Sequence, residues 1–200
     1  DGDFEIQAPA AGGSNGVLVP PWIYEGSIAV TTEAQSPYHN LHPAGRVGAS
    51  INSSTRNYRI AQALHPARTR ASGGRIFVNL DFRVLTNQPP ALGHHRFWLG
   101  TQSGPAAVEF LIGQDSLSVR TGDQTEQIRT LKPGTWHNLQ LDLDLTSGTV
   151  SGRIGLPDDV VAFSSRPLSV AWTGPLNFFA FDGSATGEAP LPSLTLDNVG

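Results

Sequence analysis

The side chains able to do chemistry are unevenly stocked in this chain of 200 residues. It has no cysteine, which excludes a thiol nucleophile, a disulfide framework and a thiolate metal site. No Gly-x-Ser-x-Gly turn is present to expose a nucleophilic serine. No Asp-x-Asp-x-Asp-Gly loop occurs, so an EF-hand is absent. His94 and His95 are adjacent, and neighbours on a strand point to opposite faces, a poor geometry for sharing a metal. Asp142 and Asp144 share a strand face, but beside a hairpin they read as solvated acids. Glycoside cleavage with retention needs two carboxylates about 5.5 Å apart. What remains is the loop 36–43, which holds Tyr38 and His39 and is followed by Arg56, Arg59, His65, Arg68 and Arg70. Tyr or His can abstract a proton beside a carboxylate that an Arg neutralises, which is lyase chemistry.

Aromatic side chains are the second resource. Sugar rings present C–H faces that stack on Trp and Tyr, and rigid rings lose little entropy on binding. Trp22 and Tyr24 fall on one face of an extended segment after Pro20-Pro21. Trp98 follows His94-His95-Arg96, and Trp172 stands in Ala171-Trp172-Thr173-Gly174. Each of these rings is equally suited to filling a core, and Trp136 is expected to be structural. The candidate ligand-binding set is therefore Trp22, Tyr24, Tyr38, His39, Arg59, Trp98 and Trp172.

Charge sorts the partners. The formal net charge is −4, which argues against generic nucleic-acid binding. Residues 41–100 nevertheless carry eight arginines against one acid, Asp81. A basic middle segment in an acidic chain fits an anionic ligand if its arginines share a surface; otherwise they are solvated or paired. Arg56 and Arg59 do not share a strand face. No apolar run reaches the ~20 residues of a membrane-spanning helix. The chain has no Met and is expected to be a mature or excised piece without its leader.

The elements that must position these groups are strands. Gly (22) and Pro (15) are abundant and charged residues make only 15%, against ~25% in an average domain. Apolar residues alternate at period two in Arg75–Val84 and in Trp136–Leu145, where Ser147-Gly148 turns the chain into Thr149–Leu156. Further strands are expected at Ile23–Thr31, Arg46–Ile51, Asn57–Leu64, Phe97–Gly100, Val108–Ile112, Leu117–Arg120, Glu126–Thr130, Val160–Ser164, Leu176–Phe181 and Ser193–Val199. Turn signals at 8–12-residue spacing read as a two-sheet sandwich or barrel. No repeat or boundary is evident, so residues 1–200 are read as a single domain with a loose loop at 8–21.

The segment Pro133-Gly134-Thr135-Trp136-His137-Asn138-Leu139-Gln140-Leu141-Asp142-Leu143-Asp144 resembles the Gly-x-Trp-His strand of concanavalin A-like (laminin-G-like) jelly rolls. The closing Leu194-Thr195-Leu196-Asp197-Asn198-Val199 and the opening Asp3-Phe4-Glu5 resemble the end strands of secreted carbohydrate-binding jelly rolls. The specific motifs cover some 25 residues; the strand plan covers most of the chain. The resemblance implies an all-β, two-sheet antiparallel jelly-roll sandwich. In calcium-bearing members of such sandwiches the end strands share a structural ion, which would fall here to Asp3, Glu5 and Asp197. The catalytic signatures of the related enzymes are missing: there is no Glu-x-Asp-x-x-Glu strand, and no Gln-x-His or Tyr-x-Lys-x-Gly-x-Tyr strand, Lys132 being the one lysine.

The expected function is thus a non-catalytic carbohydrate-binding or adhesion module of a secreted or cell-surface, bacterial, multidomain protein, for a glycan of anionic type, with structural calcium as its cofactor. No catalytic residue is assigned and the oligomeric state is open. The alternatives are a polysaccharide lyase or glycoside hydrolase on the same fold, and a structural or interaction domain without a sugar site; the fold by itself does not separate them.

Overall fold

The computed structural model describes residues 22–26, 28–31, 36–38, 48–52, 57–86, 90–183 and 189–199. Among them are fourteen strands and no helix, arranged as two antiparallel sheets of seven strands. Sheet I runs β1 (Ile23–Glu25), β4 (Arg59–Arg68), β13 (Leu176–Asp182), β6 (His95–Gly100), β7 (Ala106–Ile112), β8 (Ser116–Thr121) and β9 (Gln124–Thr130). Sheet II runs β12 (Asp159–Pro167), β11 (Thr149–Leu156), β10 (Trp136–Asp144), β5 (Arg75–Val84), β14 (Leu194–Asp197), β3 (Gly48–Ile51) and β2 (Ile28–Thr31).

Side chains on a strand alternate between faces, so the leucine row of β10 and the aliphatic row of β5 must point the same way once the two strands pair. They pair with Leu139 opposite Leu80, Leu141 opposite Val78 and Leu143 opposite Ile76. These rows face the inner rows of sheet I (Phe97 and Leu99, Val108 and Phe110, Phe179 and Phe181) and form one core between the sheets. Phe97 stacks on Phe181 with ring centroids 4.6 Å apart. A second, smaller apolar cluster of Ala61, Trp98, Phe178 and Ala180 lies on the outer face of sheet I.

One expected strand is two. Ile23–Thr31 breaks after Glu25, and its halves join different sheets as β1 and β2. Gly26 makes the break at φ +85°, and an added Cβ there would stand 2.5 Å from the Asn57 carbonyl oxygen. Neither the conformation nor the space admits a side chain. The expected strands at 75–84 and 149–156 appear with the same bounds, and Asn57–Leu64 runs on to Arg68. The opening Asp3-Phe4-Glu5 segment and the loop at 8–21 lie outside the described residues.

Candidate functional site

Four cross-strand register pairs on the outer face of sheet I place charges side by side. Arg59 on β4 stands opposite Glu25 on β1 and opposite Asp182 on β13; Asp182 stands opposite Arg96 on β6; Glu109 on β7 stands opposite Arg120 on β8. Opposite charges in such cross-strand positions attract. Arg96 is the keystone. Its Nε and Nη2 donate to the two oxygens of Asp182 at 3.0 and 2.7 Å, and its Nη1 donates to Glu109 at 3.1 Å. Arg120 completes the row by donating to the other Glu109 oxygen. Trp98 adds an indole N–H to Asp182 at 2.9 Å, and the Arg96 guanidinium carbon lies 5.4 Å from the Trp98 ring centroid. Asp182 is buried, so three N–H donors replace the water it gave up. Burial by itself lowers the Arg96 pKa, but the hydrogen bond and charge of Asp182, with those of Glu109, leave it raised.

Beside this row lies an open groove of about 600 Å³, lined by Arg96, Glu109 and Arg120 together with Pro105, Asp123 and Thr125. It offers a fixed guanidinium–carboxylate floor and a Thr hydroxyl, groups that pair with sugar hydroxyls or a sugar carboxylate. Glycosidic proton transfer needs one acid free to give its proton while another acts as nucleophile or base. Glu109 and Asp182 are both committed to guanidiniums. Asp123 on the β8–β9 turn is the groove acid without a cation partner among the described residues.

The tryptophans expected to stack on sugar are placed elsewhere. Trp22 is buried against the edge of Phe179 at 5.7 Å. Trp172 is buried under Arg70, whose guanidinium carbon is 5.3 Å from the ring centroid. Trp98 packs on Phe178 at 5.6 Å and is 4% exposed. None presents an open ring face, because a sandwich of this size has enough surface to bury its largest side chains. Tyr24 is 41% exposed at the edge of sheet I, opposite Ile60. Arg59 is half-buried on the sheet I face described above. Tyr38 is half-buried on sheet II and donates to the Trp136 carbonyl at 2.7 Å; burial, then the charge of Asp81, raises its pKa. His39 lies outside the described residues. The candidate set is thus split between two sheets.

Among the described residues, the arginines of the basic middle segment do not gather in one patch. Arg70 donates to the Ser169 carbonyl, Arg75 pairs with Asp142, Arg83 lies over Trp136 at 5.1 Å and Arg96 is spent on Asp182 and Glu109. His94 and His95 part as strand geometry requires. His95 is buried, accepting at Nδ1 from the Tyr58 hydroxyl at 2.7 Å and donating at Nε2 to the Pro192 carbonyl at 2.7 Å.

Asp197 meets an acid the sequence did not link to it. It stands directly opposite Asp81 in the β14–β5 ladder. Like charges so placed repel. A shell of donors offsets the repulsion: Ser36 N–H (2.6 Å) and Asn198 N–H (2.9 Å) on Asp197, and the Ser36 hydroxyl (2.7 Å), Asn198 amide (2.7 Å) and Asn138 amide (2.6 Å) on Asp81. The described residues do not make a calcium site by themselves. The two carboxylates face N–H and O–H donors, and no group of three His, Cys, Asp or Glu side chains gathers among the described residues. Asp3 and Glu5 lie outside them.

The row Asp182–Arg96–Glu109–Arg120 was missed by sequence reasoning. Its members come from four strands, and the sole signal was an outward-facing charge in each strand.

No protein-family model matches the chain, and no curated protein matches it in sequence. Solved structures do match. The catalytic domain of the glycoside hydrolase family 131 protein from Coprinopsis cinerea is similar at TM-score 0.61 and 11% identity, over 100% of this chain and 91% of that one. Lectin I-B4 from Griffonia simplicifolia is similar at TM-score 0.57 and 9% identity, over 88% and 90%. A sialidase is similar at TM-score 0.54 and 10% identity over 76% of this chain, which spans 15% of that protein. The fold is the concanavalin A-like jelly roll: an all-β sandwich of two antiparallel sheets. At these identities the likeness defines the fold alone, and the fold is shared by lectins and glycan-cleaving enzymes.

Proposed function

We propose that this chain is a non-catalytic carbohydrate-binding module acting outside the cell, with its glycan in the sheet I groove. The observation that carries the reading is the pre-set polar floor of that groove, in which Arg96 is held rigid between Asp182 and Glu109. Rigid donors and acceptors lose little entropy when a hydroxyl-rich ligand docks. Arg96 and Arg120 are the groove's means of recognising an anionic glycan, which must compete with Glu109 for them. The structural neighbours, a lectin and a glycoside hydrolase among them, support a carbohydrate-related role on this fold.

The test is a glycan array with neutral, uronate and sulfated glycans, followed by calorimetric titration of the best ligand. Arg120→Ala and Thr125→Ala are expected to weaken binding about tenfold, with a modest loss of stability for Arg120→Ala because Arg120 is half-buried and Glu109 keeps its bond to Arg96. Binding indifferent to both substitutions would overturn the placement. The enzyme reading rests on one observation, a carboxylate, Glu109, lining an open groove, although Arg96 and Arg120 hold both its oxygens. Release of reducing ends, or an absorbance rise from unsaturated uronates, abolished by Glu109→Gln would establish it instead. The calcium part of the proposal rests on Asp3 and Glu5 joining Asp197. A higher Tm in calcium than in EDTA supports it; superimposable melts reject it.

A further inference from the structure

The outer face of sheet II carries two adjoining cavities of about 360 and 330 Å³. Gln140 on β10 and Arg153 on β11 line both, so the two form one groove along the strands. Tyr38 and the Leu156–Pro157–Val160 corner stand at one end, and Phe77 at the other. Gln140 and Arg153 are register partners in the β10–β11 ladder, so their side chains rise side by side from the floor.

Three features set this face apart from the self-paired row on sheet I. First, Gln140 and Arg153 are exposed and have no hydrogen-bond or ion-pair partner among the described residues. Second, the acids nearby are committed: Asp142 pairs with Arg75 and Asp159 with Arg129. Asp158, in the flanking turn, lines neither cavity. Among the cavity-lining residues, Arg153 is therefore the charged side chain without an ion-pair partner among the described residues, while Asp81, met by Asn138 behind the wall, brings negative charge to the Tyr38 end. Third, Phe77 is 69% exposed, with the Arg75 guanidinium carbon 5.8 Å from its ring centroid. That leaves its ring face open to stack on a C–H face of a sugar. Behind the floor, Asn138 is fixed by donating to Asn79 at 2.9 Å and to Asp81 at 2.6 Å, which stiffens the groove wall.

We propose that this groove is a second ligand site, for carboxylated sugar units. The Arg153 guanidinium takes the sugar carboxylate in a two-pronged contact, the Gln140 amide takes ring hydroxyls, and Phe77 covers a C–H face of a neighbouring ring. The site is independent of the sheet I groove and does not require it.

The test titrates the intact chain with trigalacturonate and with cellotriose, by calorimetry and by shifts of side-chain amide resonances. The proposal expects trigalacturonate to bind at least tenfold more tightly than cellotriose at low salt and to shift the Gln140 amide. Arg153→Gln should weaken trigalacturonate binding about tenfold, and Phe77→Ala about threefold to tenfold. Both residues are exposed, so unchanged melting curves are expected and serve as the folding control. Trigalacturonate that does not bind at millimolar concentration overturns the proposal. So does binding that is indifferent to Arg153→Gln, or that is lost on Arg120→Ala and kept in Arg153→Gln. The last outcome leaves the sheet I reading standing; loss of the sheet I site alone leaves this one standing.

Discussion

Asp81 shows how a single side chain can both strain and hold a fold. It faces Asp197 across the ladder, yet it accepts from Ser36, Asn138 and Asn198. Buried donors that lose their acceptor cost roughly 1–3 kcal/mol each, less where they find new partners. Asp81→Ala is expected to cost about 3 kcal/mol in urea unfolding, read as a lower midpoint at constant slope. A loss below about 1 kcal/mol would mean that relief of the repulsion from Asp197 cancels the lost hydrogen bonds. His95 supplies the second residue-scale prediction. Burial, partly offset by the hydrogen bond to Pro192 and reinforced by His94, lowers its pKa to about 4 from 6.5. Burial and then the charge of Arg129 lower His137 to about 4 as well. Between pH 6.5 and 4 the unfolded chain binds these protons and the folded chain does not. Stability is therefore full above pH 6.5 and falls as the pH drops through that window, by about 1.4 kcal/mol per pH unit for His95. Urea midpoints at pH 7, 6 and 5 check the sign; a flat series would contradict it.

At the scale of elements, register does most of the positioning. The nine paired positions of β5 and β10 put every leucine of β10 inward, with His137 on the same row against Phe82, and Asn138, Gln140, Asp142 and Asp144 outward in one step. That part was legible, because period-two alternation is written in the residues themselves. The break at Gly26 was not, since Ile23–Thr31 alternates acceptably on either side of it. Gly26→Ala is expected to destabilise by about 2 kcal/mol or more, from a positive φ and a contact with the Asn57 backbone. A thermal melt within a degree of the parent would show that the β1–β2 crossing adapts at no cost.

For the whole molecule, the two outer faces are chemically different. Sheet I spends its charges on one another; sheet II leaves Arg153 and Phe77 open. Arg96 ties three strands of sheet I together. Arg96→Met should cost about 3–5 kcal/mol, because Asp182 stays buried without its cation. It should also abolish glycan binding in the sheet I groove and leave trigalacturonate on sheet II unaffected at temperatures where the variant is folded. Joint loss of both in a folded variant would show that the grooves are coupled.

The residue pattern by itself determined the all-β class, the strand positions over most of the described chain and the inward rows of β5 and β10, because these follow from local alternation and turn chemistry. It also placed Trp136 in the structure as a buried ring. Only the tertiary structure decided which charges meet. Glu109, Arg96 and Asp182 belong to three strands, and Asp81 and Asp197 to two whose pairing spans most of the chain. Whether a tryptophan meets solvent was likewise settled by distant partners, such as Phe178 and Arg96 around Trp98. Contacts of that range depend on strand order, and strand order is set by how two whole sheets bury their apolar faces, which no window of neighbouring residues contains.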